Sequence, residues 1–123
     1  MTVLAPPRRR TSTEAARVAL FREATALIEA DLARPITLDE LAEGVNASPR
    51  ALRRAFVEIA GTTFSAYVRE VRMARAARLL TGSARSVHEI AASVGYGQPS
   101  QFTKAFRRSF GVTPTAYRLS GPD

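Results

Sequence analysis

The 123-residue sequence predicts an all-α protein of about seven helices, and two observations lead to that prediction. Apolar residues recur at steps of three and four along most of the chain, whereas no segment alternates with period two for long enough to form a strand. Signals that start and stop helices also recur, because Ser or Thr with Glu three residues later opens several segments and Gly closes others. The length allows one core or two very small ones.

The first helix is predicted from Glu14 to about Ala33, with a capping box between Thr11 and Glu14 and an end before Pro35. Residues 1–12 are interpreted as a flexible arm or a linker, because two consecutive prolines and three consecutive arginines stand there. The apolar residues that recur at helical spacing in this helix are Leu20, Phe21, Ala24, Leu27, Ile28 and Leu32.

Six further helices are predicted from the residues that start and stop them. The start signals are Thr37 to Glu40, Ser48 with Pro49, a segment opening near Phe64, Ser86 to Glu89, Gln98 with Pro99, and Thr113 with Pro114. The predicted turns and stops are Asn46-Ala47, Gly61, Thr81 to Ser83, Gly95 to Gly97, and Gly111. The helix from about 64 to 80 is longer than its neighbours.

An internal repeat organises these helices. Thr37-Leu38-x-Glu40-Leu41-Ala42 recurs as Ser86-Val87-x-Glu89-Ile90-Ala91, and Leu52-x-Arg54-Ala55-Phe56 recurs as Phe102-x-Lys104-Ala105-Phe106. Gly61-x-Thr63-x-x-Ala66-Tyr67 likewise recurs as Gly111-x-Thr113-x-x-Ala116-Tyr117. Each unit is a short helix, a tight turn and a longer helix, the pattern of a helix-turn-helix. The predicted division is therefore an arm at 1–12, a first subdomain at 13–62, a connecting helix at 63–82, a second subdomain at 83–119 and a tail at 120–123.

The second helix of each unit has a distinct outer face. The predicted inward residues are Leu52, Ala55, Phe56 and Ile59 in the first unit and Phe102, Ala105, Phe106 and Phe110 in the second. The outward residues are Arg50, Arg53, Arg54, Val57 and Glu58 in the first, and Ser100, Gln101, Thr103, Lys104, Arg107 and Arg108 in the second. Basic and hydrogen-bonding side chains thus lie where a recognition helix contacts base edges in a major groove.

The charge balance agrees with a polyanionic partner. Lys and Arg number 18 against 11 Asp and Glu, for a formal net charge of +7, and Lys104 is the only Lys. Arg grips phosphates and guanine edges with a planar fork of donors. An Arg-rich and Ala-rich composition can also reflect a GC-rich genome, so charge alone does not decide the function.

The sequence lacks the residues that several classes of function require. The chain has no Cys and one His, His88, so thiol chemistry, a metal site and a Ser–His–Asp triad are not expected. Glu40 and Glu89 are interpreted as helix caps and not as catalytic carboxylates. No apolar run has the length of a membrane span or a signal peptide. We therefore expect a cytoplasmic protein with no enzymatic activity, no metal and no cofactor.

The ordered positions Ile90-Ala91-x-x-Val94-Gly95-Tyr96, Phe102-x-Lys104-x-Phe106 and Phe110-Gly111-x-Thr113-Pro114-x-x-Tyr117-Arg118 resemble the C-terminal signature of the bacterial AraC/XylS-type transcription regulators. The resemblance covers roughly residues 17–118 and implies two helix-turn-helix units joined by a long helix. It also implies base contacts from Arg50, Arg53, Arg54, Ser100, Gln101, Thr103 and Lys104, with Ser48 and Thr63 as candidates for phosphate contacts.

Five positions depart from that pattern. Lys104 stands where the family commonly has Arg, and Pro99 stands where it commonly has a polar residue. Asn46 occupies a turn position that is often Gly. Val57-Glu58 lack the basic pair that the second unit has at Arg107-Arg108.

The leading interpretation is a transcription regulator that binds specific double-stranded DNA. One alternative is the DNA-binding fragment of a larger, effector-sensing regulator, and another is a module that contacts RNA polymerase. A third, a DNA alkylation-repair protein fused to such a module, depends on Cys residues that this chain lacks. The connecting helix of about 17 residues would span roughly 25 Å, so one monomer is expected to reach two successive major grooves about 34 Å apart.

Overall fold

A computed structural model describes the backbone of residues 6–121 and the side chains of residues 13–121. It contains seven α-helices, as predicted, with no strand among the described residues. The helices are α1 (Pro6–Ala30), α2 (Leu38–Gly44), α3 (Pro49–Ala55), α4 (Phe64–Gly82), α5 (Val87–Ser93), α6 (Pro99–Phe110) and α7 (Pro114–Ser120). A π-helical segment, Phe56–Ala60, extends α3. No helix in the described part of the chain is long and apolar enough to cross a membrane.

The start of α1 corrects the sequence analysis. The helix begins at Pro6, so residues 6–12 are helical, and Thr11 lies inside the helix and not at its cap. Proline is compatible with a first turn because the amide groups there have no carbonyl partner within the helix. The remainder of the predicted arm, residues 1–5, lies outside the described residues. The helix also ends at Ala30, earlier than predicted, and a turn over residues 31–34 precedes Pro35.

The chain forms two compact units. Unit 1 contains the residues up to Ala30 and Ile36–Tyr67, and unit 2 contains Asp31–Pro35 and the residues from Val68 onward. The core of unit 1 is centred on the buried Phe56, which is surrounded by other aromatic rings. Its ring lies 5.2 Å from that of Phe21 and 5.3 Å from that of Tyr67, in edge-to-face geometry. Other residues buried in this core are Ala24, Ile28, Leu41, Ala42, Leu52 and Ala55.

Unit 2 repeats this arrangement around Phe106, which is also fully buried. The ring of Phe106 lies 5.8 Å from that of Phe102 and 5.3 Å from that of Tyr117. Other buried residues of this unit are Leu32, Val68, Met73, Ala76, Ala77, Leu80, Ile90, Ala91, Val94 and Pro114. The aromatic residues that the sequence repeat aligns therefore occupy equivalent places in the two cores.

The short first helix of each unit begins and ends in the same way. Both predicted capping boxes are present, at Thr37 with Glu40 and at Ser86 with Glu89. At the other end, the amide of Ala47 donates to the Ala42 carbonyl at 2.9 Å. The corresponding bond in unit 2, from the amide of Tyr96 to the Ala91 carbonyl, is also 2.9 Å.

Both turns require a backbone with positive φ. Asn46 adopts a φ of 58° in the first turn, and Gly95 adopts 96° in the second. Asn tolerates the left-handed region, which explains how it replaces Gly in unit 1. Close packing also favours glycine at position 95, because a Cβ atom there would lie 2.9 Å from the guanidinium carbon of Arg72. A side chain at this position would therefore displace Arg72 as well as strain the backbone.

Two residues predicted to face inward are only partly buried. Ile59 is 41% exposed and Phe110 is 39% exposed. Ile59 lies in the π-helical segment, where wider turns rotate a residue away from the stripe that an α-helix would extend. Phe110 is the last residue of α6, and its ring stacks on that of Phe106 at 4.6 Å and lies 5.3 Å from that of Tyr117, while part of its surface faces solvent.

Candidate nucleic-acid interface

The first candidate recognition helix, α3, is held by its cap and by its buried face. Ser48 is the N-cap, and its hydroxyl oxygen accepts a hydrogen bond from the Ala51 amide at 3.0 Å. Pro49 follows at the first helical position, where its missing amide hydrogen has no consequence. Leu52 is fully buried, so the predicted DNA-contacting arginines Arg50, Arg53 and Arg54 lie on the exposed surface of the helix.

The structure adds Arg17 to this basic surface. Arg17 belongs to α1, and it lines one open cavity of about 370 Å³ together with Arg50 and Arg54. Ser48, a predicted phosphate contact, lies on the same cavity wall. Arg17 was not among the residues predicted from the sequence, because it is distant from α3 along the chain and only the packing of α1 beside α3 brings it to this surface.

A carboxylate connects two of these arginines. Glu58 accepts a hydrogen bond from Nε of Arg54 at 2.8 Å and another from Nη1 of Arg17 at 2.7 Å. The hydrogen bond from Arg54, together with the charge of Arg17, holds the pKa of the Glu58 carboxyl below its ordinary value. The spacing of four residues between Arg54 and Glu58 was visible in the sequence, whereas the contact with Arg17 was not.

The second candidate recognition helix, α6, presents a different surface. Ser100, Gln101 and Lys104 are exposed, and Thr103 is half-buried. Pro99 is again at the first helical position, but the N-cap residue Gln98 makes no side-chain hydrogen bond to the helix. The polar residues predicted to contact bases are therefore accessible, wholly or in part, in the first two turns of α6.

Basic residues continue to the end of α6. Arg107 and Arg108 are both exposed and lie in the last turn of the helix. Within the part of the chain that the structure describes, neither these two side chains nor Lys104 makes an ion pair. Cations at a helix C-terminus are favoured by the helix dipole, and here their donors also remain accessible to a ligand.

The two predicted phosphate contacts are both capping residues. Ser48 caps α3, and Thr63 accepts a hydrogen bond at Oγ1 from the Ala66 amide at 3.1 Å, at the start of α4. Each hydroxyl uses its oxygen in the cap and keeps its proton for donation. Thr113, the repeat equivalent of Thr63, caps α7 with the same 3.1 Å bond from Ala116. The sequence repeat was the signal that could have added Thr113 to the candidates.

Arg118 has a structural role, although it adds to the positive charge of the C-terminal part of the sequence. Its Nε donates to the Leu80 carbonyl at 2.8 Å. One Nη atom donates to the carbonyls of Ser83, at 3.3 Å, and Arg85, at 2.5 Å. Arg118 therefore connects α7 to the end of α4 by satisfying carbonyls that have no partner within a helix.

Comparison with known proteins places this arrangement in a family. A helix-turn-helix domain family matches residues 41–120. The HTH-type transcriptional regulator GbdR of Pseudomonas aeruginosa is 39% identical over 102 residues, which are 83% of this chain and 28% of that protein. The chain therefore spans little more than a quarter of the length of this relative.

Solved structures agree with the sequence comparison. An AraC-type transcriptional regulator from Chromobacterium violaceum superimposes with a TM-score of 0.79 at 32% identity, covering 86% of this chain and 95% of that one. The DNA-binding domain of the global transcriptional factor AdpA, solved with a target DNA, has a TM-score of 0.76 at 30% identity and covers 81% of this chain and 90% of that one. The predicted resemblance is confirmed, and the chain belongs to the AraC-type helix-turn-helix family of DNA-binding transcription-regulator domains.

Proposed function

We propose that this chain binds specific sites on double-stranded DNA as the DNA-binding domain of a transcription regulator, and that it does so without catalysis. The observation that carries the proposal is the repeated exposure of basic and polar side chains along the second helix of each helix-turn-helix unit. Both helices follow a capped short helix and a positive-φ turn, so the fold presents the two surfaces in equivalent ways within their own units.

The residues divide between reading bases and contacting phosphates. Arg50, Arg53 and Arg54 read bases from α3, since Arg pairs with guanine through two parallel hydrogen bonds. On α6 the base-reading residues are Ser100, Gln101, Thr103 and Lys104, and Gln can pair with adenine in the same bidentate way. The phosphate contacts are Arg107, Arg108, Ser48 and Thr63, which supply charge or hydroxyl protons.

The chain is proposed to act as a monomer that occupies two successive major grooves. A chain with two recognition helices needs no second copy to read two half-sites, and the expected site is asymmetric and about 20 base pairs long. The proposed cellular setting is the cytoplasm, with RNA polymerase as a further partner. The similarity to named transcriptional regulators supports this setting.

The test starts from a selection, because the operator is unknown. The chain is used to select duplexes from a library of random sequences, and binding to the selected duplex and to a random duplex is then compared by mobility shift. We expect a selected duplex that binds at least about a thousandfold more tightly than random DNA. Equal binding of the two duplexes would contradict sequence-specific recognition.

Two further measurements test the binding mode. Footprinting at 1:1 stoichiometry is expected to protect two adjacent major grooves, and a single protected groove or an obligatory palindrome bound by a dimer would contradict it. The logarithm of the affinity is expected to fall steeply with the logarithm of the salt concentration, since each phosphate contact releases counterions. A slope near zero would remove the electrostatic part of the proposal.

A further inference from the structure

Glu58 is an acid in the middle of a basic surface, and its position is not explained by folding alone. The carboxylate is bonded to Arg54 of the same helix at 2.8 Å and to Arg17 of α1 at 2.7 Å. The Arg54–Glu58 pair is exposed, and an exposed pair four residues apart on a helix contributes little to stability. The acid also opposes the negative charge of a DNA backbone, so its presence here calls for a reason connected with recognition.

The geometry of the Arg54 guanidinium supplies that reason. A guanidinium has five N–H donors in one plane, and Glu58 bonds to the donor at Nε. The edge formed by the two terminal nitrogens remains available, and the Arg54 side chain is 62% exposed. That edge has the geometry for bidentate recognition of guanine. Glu58 therefore leaves the reading edge of Arg54 open while restricting its rotation.

Arg17 restrains the carboxylate itself. Without a second partner, an exposed Glu side chain turns among several rotamers and would restrain Arg54 weakly. The bond from Arg17 comes from a different helix of the same unit, so α1 limits the positions that Glu58 can adopt. The three side chains form a chain of contacts that runs from α1 to the surface of α3.

We propose that Glu58 is a positioning residue that determines specificity. It orients Arg54 for one base pair and is itself oriented by Arg17, while its negative charge weakens binding to selected and random DNA alike. This inference rests on the proposed function, because it concerns the discrimination between DNA sequences. Through Arg17, α1 then contributes to base recognition, although it is distant from α3 along the chain.

The experiment compares affinities for the duplex selected by the unmodified chain and for a random duplex. Glu58→Gln keeps the size of the side chain and removes its charge. We expect the ratio of specific to random affinity to fall by about five- to tenfold, at the lower end of the discrimination that one bidentate contact provides. Glu43→Gln is the matched control, because it removes the same charge from an exposed residue of α2 in the same unit. This control is expected to leave the ratio unchanged.

A double-mutant cycle tests whether Glu58 acts through Arg54. In the Arg54→Ala background, Glu58→Gln is expected to leave the ratio unchanged, and the base preference lost in each single variant is expected at the same base pair. Equal losses from Glu58→Gln with and without Arg54 would overturn the proposal. An unchanged ratio in Glu58→Gln would also overturn it, and would assign to Glu58 only a general charge effect.

Two controls distinguish a loss of specificity in the variants from a loss of stability and from failure of the proposed function. Thermal unfolding of each variant is measured in parallel, and the midpoints are expected to change far less than after a core substitution, because surface ion pairs contribute about 1 kcal/mol or less. Failure of the proposed function would appear first in the unmodified chain, as equal binding of selected and random duplexes. Failure of this inference would appear only in the variants.

Discussion

The two helix-turn-helix units share their architecture and differ in how they present charge. Both have a capping box, a positive-φ turn and a buried phenylalanine beside a tyrosine. In unit 1, Glu58 binds two arginines of the exposed surface, and a hydroxyl caps the recognition helix. In unit 2, the recognition helix contains no acid and has no side-chain cap. The repeat therefore preserves the residues that make the fold, while the surfaces proposed to contact DNA differ between the two units.

The largest expected effect tests the shared part of the comparison. Phe56→Ala and Phe106→Ala each remove a fully buried ring from equivalent places. We expect each variant to lower the free energy of unfolding by about 3–5 kcal/mol, because a cavity remains where the ring was. Urea unfolding followed by circular dichroism measures this change. A loss below about 1 kcal/mol in one variant alone would show that the two cores are not equivalent.

The second prediction tests the division between base and phosphate contacts. Arg50→Ala or Arg54→Ala is expected to cost about 1–3 kcal/mol of binding free energy on the selected duplex and to relax the preference at one base pair. Arg108→Ala is expected to weaken binding to selected and random duplexes alike, since a phosphate contact carries no sequence information. Mobility shifts with both duplexes distinguish these outcomes. If Arg50→Ala and Arg54→Ala lower both affinities equally, their assignment as base contacts is wrong.

The third prediction concerns the caps of the two recognition helices. Ser48→Ala is expected to destabilise unit 1 by about 1 kcal/mol, because the Ala51 amide loses its acceptor. Gln98→Ser is expected to stabilise unit 2 by up to about 1 kcal/mol, because Gln98 has the extended backbone of an N-cap but makes no side-chain bond. Urea unfolding measures both changes. A loss of stability in Gln98→Ser would mean that the amide of Gln98 has a role that a cap cannot replace.

The smallest expected effect is on the pH dependence of stability. Hydrogen bonds lower the pKa of Glu58, mainly through Arg54, and that of Glu89, mainly through the backbone amide of Ser86, below the ordinary 4.5. The folded state therefore favours the ionised form of both carboxyl groups, and each stabilises the fold. This contribution to stability is complete above pH 4.5, and it is lost as the pH falls through the lowered pKa values of the folded state.

Salt separates the two contributions. Added salt is expected to reduce the contribution of Glu58, which depends on charged side chains, more than that of Glu89, which depends on a backbone amide. Unfolding curves between pH 5 and pH 3 (an interval chosen about the ordinary pKa of Glu) measure this for Glu58→Gln and Glu89→Gln. For each variant, the contribution of the carboxylate is the difference in unfolding free energy from the unmodified chain. If salt reduced this difference equally for Glu58 and Glu89, the assigned causes would be wrong.

The elements of the fold were predictable because their signals are local. A capping box at Thr37 or Ser86 needs only the residue three positions later, and the turn at Asn46 depends on the conformational range of one residue. The repeat then indicated that these elements form the same unit twice. The start of α1 was the main error, since proline restricts the interior of a helix and not its first turn.

The sequence by itself determined the all-α class, the duplicated helix-turn-helix and the exposed faces of both recognition helices, because each depends on short-range spacing. Only the tertiary structure decided which side chains meet across those elements. Arg17 joins the surface of α3 because α1 packs beside it, and Arg118 binds the carbonyls that end α4. Ile59 turns outward because a π-helical segment interrupts the expected period. Contacts between distant residues depend on packing in three dimensions, and no local pattern records them.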